Sequence, residues 1–368
     1  MNDIIDKIDA IKDDIISTAS DLIKIPSRNP PGEEKECIEY IKSRLEEYDL
    51  NIKIIDKPFK DRPQIIAWNE DPRILLNGHV DTVPEGNSDL WSIDPFSGII
   101  KDGRLYGRGA VDMKSALAIM IHIPRIIDKH LLLTFAIGEE RAEPGTLELL
   151  NHIPNDVRYG IVLEPTSLAI APYQRGALWA EMNIRGKSTH ASLPEKGINA
   201  IVEAKKIIDK IEEYQQILTK REALNTTPTC NVTMIEGGIK ENVIPDLCRL
   251  IIDRRLLPNE EYLKVIDELK GIHEFEIIAY RKPVKLDKSS YICNILKQSL
   301  LDIIGDAKFI CFPGSTDNEH IIDNGIESIV WGPGDLADAH SIDESIDIKE
   351  LITATKVLAL SLYRLAKE

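Results

Sequence analysis

Cysteine is scarce and follows no pairing pattern. Cys37, Cys230, Cys248, Cys293 and Cys311 are odd in number, far apart and contain no CxxC pair. That argues against a disulfide framework and points to buried, unpaired thiols in a reducing compartment, the cytoplasm. No uninterrupted apolar run approaches the roughly 18 residues that a membrane span needs. The amino terminus lacks the basic start and unbroken apolar stretch of a secretory signal: Ile4, Ile5, Ile8, Ile11, Ile15 and Ile16 are interrupted by Asp3, Asp6, Asp9, Asp13 and Asp14. Their spacing predicts an amphipathic helix packed on a core. Cationic surplus is also missing. Against 45 basic residues stand 61 acidic ones, a net charge of −16, so nothing would offset repulsion from nucleic-acid phosphates or an anionic membrane. The acidic surplus itself serves either solubility or the holding of metal.

What is present is a globular composition, 43% hydrophobic and 29% charged, on 368 residues, enough for two domains. Short apolar runs at Ile74–Leu76, Leu131–Ile137 and Ile161–Leu163 alternate with helical stretches, which predicts a mostly parallel sheet flanked by helices, an α/β arrangement. From Arg175 to about Lys285 the pattern changes. Strands are expected at Ala177–Ile184, Asn231–Ile235, Leu247–Asp253 and Phe275–Ala279, and helices at Asn199–Tyr214 and Glu260–Lys270. Strand–helix–strand–strand–helix–strand is the split βαβ order of a small α+β domain. The remainder returns to strand (Ile326–Trp331) and a closing helix (Ile348–Ala366). The expected division is therefore a catalytic domain over residues 1–173 and 286–368, with an inserted α+β domain over 174–285.

The chemistry is written at the ends of the apolar runs. Ile74–Leu76 leads into Asn77-Gly78-His79-Val80-Asp81, Leu131–Ile137 into Gly138-Glu139-Glu140, and Ile161–Leu163 into Glu164. Ile329-Val330-Trp331 leads into a Gly-Pro-Gly turn and then His340, and Asp112 stands just before a helical run. Ligands of open α/β sheets bind at the carboxyl ends of strands, and imidazoles with several carboxylates gathered there make a metal site. Singly, each residue has a structural reading: Asp112 a helix cap, His79 a loop histidine, Glu139 and Glu140 a solvated helix start. The set as a whole is hard to produce by packing.

The stretches Ile25–Gly32, Gly78–Pro84 and Trp91–Lys114 resemble the M20 metallopeptidase family, which includes acetylornithine deacetylase, succinyl-diaminopimelate desuccinylase, aminoacylase-1 and glutamate carboxypeptidase. The resemblance continues, in order, through Gly138–Glu140, Glu164–Thr166, Gly186–Ser192, Asn242–Pro245, Asp253–Arg255, Gly314–Asp317, Gly332–Gly334 and Ala339–His340. It implies a zinc-peptidase-like catalytic domain, a ferredoxin-like inserted domain and two divalent metal ions, zinc first, with cobalt or manganese able to substitute. One metal would be held by His79 and Glu164, the other by Glu140 and His340, with Asp112 bridging. Asp81 would fix the His79 tautomer, and Glu139 would act as general base on the metal-activated water.

His190 would stabilise the oxyanion across a homodimer interface formed by the inserted domain, its bland alternative being a cap or surface histidine. Asn242 and Arg255 would contact the polar end of the substrate, or else serve as a turn residue and a strand-edge ion pair. Gly314, Ser315 and Thr316 would receive substrate oxygens, whereas His122, His130, His152, His273 and His320 match no motif and are expected to be structural or exposed. Two departures stand out: Arg141-Ala142-Glu143-Pro144-Gly145 after the paired acids, expected to shape the pocket rim, and Ser115 after Asp112-Met113-Lys114.

The implied activity is hydrolysis of an N-acyl amino acid amide by a cytoplasmic enzyme, with a dipeptidase or carboxypeptidase as the alternative. A two-metal phosphoesterase is disfavoured by the lack of a phosphate cradle. A non-catalytic metal-binding relative is disfavoured by the presence of Glu139.

Overall fold

A computed structural model describes residues 2–367. Two compact units emerge, one from residues 1–172, 286–310 and 316–368, the other from 173–285 and 311–315.

The larger unit is a sheet covered on both faces. Six neighbouring strands of its nine-stranded sheet are β1 (Asn51–Ile55), β2 (Gln64–Trp68), β3 (Glu70–His79), β4 (Lys129–Ala136), β5 (Tyr159–Val162) and β6 (Glu327–Val330), in the spatial order β1-β2-β4-β3-β5-β6, and Ile170–Gln174 pairs with the far side of β6. The four central strands β4, β3, β5 and β6 run parallel, and β1 and β2 add antiparallel pairs at one side. Parallel central strands are buried on both faces and so need continuous apolar sequence. Ile74, Leu75 and Leu76 are each 1% exposed or less. The register sets His79 opposite Ala136 and Asn77 opposite Val162, so β3, β4 and β5 end at one level.

The first helix (Asn2–Lys24) buries Ile4, Ile8, Ile11, Ile15, Ala19 and Leu22, the stripe expected of an amphipathic surface helix. It packs on the closing helix, Ile348–Leu365, where Lys356 reaches Asp9 at 2.7 Å. Asp347 caps that closing helix, its carboxylate accepting the amides of Lys349 (2.6 Å) and Glu350 (3.3 Å). Both chain ends therefore contribute to one core.

The smaller unit has its own core. Its antiparallel sheet has the order Thr229–Gly237, Leu247–Leu256, Gly176–Arg185, Glu276–Arg281. Leu178, Ala180, Met182, Leu250 and Ile252 alternate onto a face covered by helices Ala200–Leu218 and Tyr262–Lys270. Two expectations shift. The second helix begins at Tyr262 rather than Glu260, because the Glu260 carboxylate is engaged by Arg254 and the Leu257 amide (2.8 Å). Cys311–Ser315, expected in the larger domain, goes with the smaller unit: Arg175 donates its amide to the Phe312 carbonyl (3.0 Å) and its side chain to that of Pro313 (2.7 Å).

Candidate metal centre

Three strand ends and two irregular segments bring six side chains of the larger unit together. His79 closes β3. Glu139 and Glu140 lie on a single 3₁₀ turn after β4, Glu164 lies two residues past β5, and His340 follows the turn beyond β6. Asp112 stands in a kinked segment, with φ −123° and ψ 95°, ahead of helix Ser115–His122; it does not cap that helix.

Two glycines allow the approach. Gly138 enters the Glu139–Glu140 turn at φ +82°, a conformation L side chains rarely adopt. A Cβ at Gly332 would stand 2.6 Å from the Glu164 carbonyl oxygen.

The six divide into two groups, His79–Glu139–Glu164 and Asp112–Glu140–His340, with one ligand atom from each residue lying within 4.8 Å of the others in its group. Asp112 joins the groups. Its Oδ1 is 2.9 Å from His79 Nε2, and its Oδ2 is 3.4 Å from His340 Nε2. Glu164 Oε1 is 3.7 Å from His79 Nε2, and Glu140 Oε1 is 3.1 Å from His340 Nε2. His79, Asp112 and Glu164 are buried, while the His340 side chain remains 45% exposed.

Among the described residues, no lysine or arginine forms an ion pair with Asp112, Glu140 or Glu164. Burial disfavours charge on His79 and His340, but the hydrogen bonds and negative charge of the surrounding carboxylates prevail. They raise His79 well above its usual range and push His340 up to about 11. Burial, and then the charge of Asp112, raises Glu164. Carboxylates buried this deeply with no lysine or arginine partner, only imidazoles, fit divalent cations, which would take the place of the imidazole protons. Mixed carboxylate and imidazole donors suit zinc, cobalt or manganese.

Asp81 acts differently from the expectation. His79 Nδ1 lies 2.9 Å from the Asp81 backbone carbonyl, and the carboxylate Oδ1 is farther, at 3.6 Å. A carbonyl only accepts, so Nδ1 carries the proton and Nε2 faces the cluster. The carboxylate instead gathers the turn bearing the paired acids. Its Oδ1 accepts the amides of Gly138 (2.9 Å) and Glu139 (3.3 Å); its Oδ2 accepts the amide of Glu140 (3.2 Å) and Asn29 Nδ2 (3.0 Å).

The remaining candidates fall as follows. His190 is exposed, with Nδ1 2.7 Å from Ser192 Oγ, and its strand Thr189–His190 pairs with Val243–Ile244, next to Asn242. The guanidinium of Arg255 is occupied by Asp253, through bonds of 2.7 and 2.8 Å. Gly314 and Ser315 belong to the smaller unit and Thr316 to the larger. In the stretch expected at the rim, Arg141 is exposed, whereas Glu143 is bound by Arg62 (2.8 Å) and Asn29 (3.1 Å).

Sequence reasoning passed over four supporting residues. Asn29 and Arg108 lay inside stretches noted for other reasons. Lys114 is fully buried and ties the end of the first helix to the Asp112 segment through the carbonyls of Leu22 (3.0 Å) and Ile25 (2.6 Å). Glu344, also buried, carries no sequence signal of its role.

A sequence model of peptidase family M20/M25/M40 matches residues 75–364. An uncharacterised metallohydrolase of Methanocaldococcus jannaschii is 29% identical, over 94% of this chain and 98% of its own. Acetylornithine deacetylase of Myxococcus xanthus is 28% identical over 88% and 90%, and a probable succinyl-diaminopimelate desuccinylase of Staphylococcus aureus is 27% identical over 90% and 92%. Among solved structures, an M20 family metallo-carboxypeptidase of Sulfolobus solfataricus has a TM-score of 0.77 at 22% identity, covering 95% of this chain and 99% of that one. A dinuclear metal-binding M20 peptidase of Bacillus subtilis has 0.69 at 19%, covering 98% and 100%. With the family pattern running from β3 to the closing helix and the fold shared with solved members, the chain belongs to peptidase family M20/M25/M40 and is a metallohydrolase of amide or peptide bonds.

Proposed function

We propose that the protein is a dinuclear metal-dependent deacylase, cleaving the amide bond of an N-acyl amino acid. The observation that carries the dinuclear reading is Asp112, whose two oxygens each face a different imidazole. In this reading His79 and Glu164 would hold one cation, Glu140 and His340 the other, and Asp112 would serve both; zinc is the first choice and cobalt or manganese the alternatives. When bound, such a pair would supply acidification of a water and polarisation of the scissile carbonyl.

The protein's part is to place groups. Glu139, held by the Asp81 carboxylate through its own amide, takes the proton of the attacking water and returns it to the leaving amine. The Asp81 carbonyl keeps the proton of His79 on Nδ1, leaving Nε2 as donor. His190 would stabilise the tetrahedral oxyanion of a partner subunit, and Asn242, Arg255, Gly314, Ser315 and Thr316 would receive the substrate's polar groups. Arg255 would have to exchange Asp253 for the substrate carboxylate.

The deacylase choice is supported by the names of the deacetylase and desuccinylase relatives. A homodimer through the smaller unit is supported by its edge strand Thr229–Gly237, where Met234 and Ile235 are exposed, as are Ile198 and Val202 nearby in that unit; exposed apolar edges of this kind call for a covering partner. The five buried, unpaired cysteines fit a cytoplasmic enzyme.

The test is a screen of N-acetyl and N-succinyl amino acids alongside dipeptides, with zinc, cobalt and manganese supplied separately. Metal-dependent release of free amine from the N-acyl substrates is expected. Cleavage of dipeptides alone would replace the deacylase reading with a peptidase, and no cleavage by metal-loaded protein would remove both. Sedimentation of the active enzyme as a strict monomer would remove His190 from the mechanism.

A further inference from the structure

Two members of the cluster lie in backbone that no strand or helix fixes. Asp112 is in the kinked segment, and His340 has φ +59°, in the left-handed region. His79 and Glu164, by contrast, sit at or just past the ends of β3 and β5.

Both irregular positions converge on one buried pair. Glu344 is 1% exposed and Arg108 2%. Glu344 Oε1 accepts the amides of Val111 (2.8 Å) and Asp112 (3.2 Å), and its Oε2 pairs with Arg108 Nη1. Arg108 Nη2 donates to the His340 carbonyl at 3.3 Å, and its guanidinium lies 5.2 Å from the centre of the Trp91 ring. The Glu344 carbonyl in turn accepts the Gly107 amide at 2.8 Å. A buried ion pair is a weak source of net stability compared with apolar packing, yet this one grips the main chain at two of the three residues of a single group.

We propose that Arg108 and Glu344 are positioning residues for one side of the centre: together they hold Asp112 and His340 in the arrangement with which the Asp112–Glu140–His340 group takes a divalent cation. The proposal rests on the dinuclear reading above. It makes the two cations unequal in their dependence on the pair, since the clamp holds two members of one group and only the shared Asp112 of the other.

The experiment is a two-equivalent zinc titration of the metal-stripped full chain against a chromophoric chelator, for wild type, Glu344→Gln, Arg108→Lys and His340→Ala. Glu344→Gln keeps the size but sets an amide group against the guanidinium. It is expected to weaken one equivalent by about 10–100-fold, the range typical of residues that orient ligands. That equivalent should be the one His340→Ala abolishes, with the other kept within roughly threefold. Arg108→Lys keeps the ion pair but drops the arm to the His340 carbonyl, and it should weaken the same equivalent to a smaller extent; it also serves if Glu344→Gln does not fold. Equal weakening of both equivalents, or an unchanged isotherm, would overturn the clamp while leaving the dinuclear reading intact. A wild-type chain that takes up fewer than two equivalents would overturn both.

Discussion

Asp81→Asn separates the two roles open to this carboxylate. If it served only to orient His79, the change would be nearly silent, because the Asp81 backbone carbonyl still accepts from Nδ1. The structure instead gives the carboxylate four donors, two on each oxygen. An asparagine has one acceptor oxygen, so two of those donors meet an NH₂ group. Asn29 can turn its amide over, since its Oδ1 has no partner, but it then gives up Glu143. The amide of Glu140 has no such escape. An orphaned buried donor costs about 1–3 kcal/mol, and the bonds that survive lose their charge assistance, about 1 kcal/mol each.

The total is about 3–5 kcal/mol, a large part of the roughly 5–15 kcal/mol that holds a typical domain together. Urea unfolding of the chelated protein should register that loss. Metal competition should show weaker uptake, and kcat/KM should fall, because the displaced turn carries both Glu139 and Glu140. A variant within 1 kcal/mol of wild type, with full metal affinity, would refute the assignment of the turn to Asp81.

Glu139→Gln should keep both metals by elemental analysis and lower turnover by about two to four orders of magnitude; loss of one metal instead would make Glu139 a ligand. Chelation should lower the melting temperature of the larger unit by roughly 10 °C, as expected if binding at a thousandfold excess over Kd contributes about 4 kcal/mol; an unmoved transition in calorimetry would contradict a built metal centre. His122 provides the pH dependence. Burial, followed by the charges of Arg44 and Arg125, holds it down at about 4, against an ordinary 6.5. Its stabilising contribution is therefore complete above pH 6.5 and is lost as the unfolded chain protonates between pH 6.5 and 4, about 3 kcal/mol in all. Wild type and His122→Gln, both chelated, should lose their difference in unfolding free energy across that interval, and parallel profiles would refute the assignment.

The fold was legible where burial dictates composition. Runs such as Ile74–Leu76 and the isoleucine stripe of the first helix can satisfy only a two-sided core or one helical face. Four of the six cluster residues were legible because each stands just beyond such a run; Asp112 stands just before a helix, and His340 ten residues past β6. Contacts made by main-chain atoms were not. That His79 would choose the Asp81 carbonyl, freeing the carboxylate to gather three amides, depends on the path of the turn and not on residue type. Glu344 was invisible for the same reason, its partners being amides at Val111 and Asp112, more than 200 positions away.

The insertion of one unit's sequence within that of the other imposes an order on biosynthesis. A ribosome delivers residues 173–285 well before β6, His340 and the closing helix. The inserted unit thus has its four-stranded sheet in hand while the other sheet still lacks an inner strand and the first helix still awaits its mate. For that interval the emerging polypeptide shows a half-finished apolar surface, a target for chaperones. It also lacks one of the two imidazoles of the cluster, so no nascent chain can assemble the six residues until His340 has emerged.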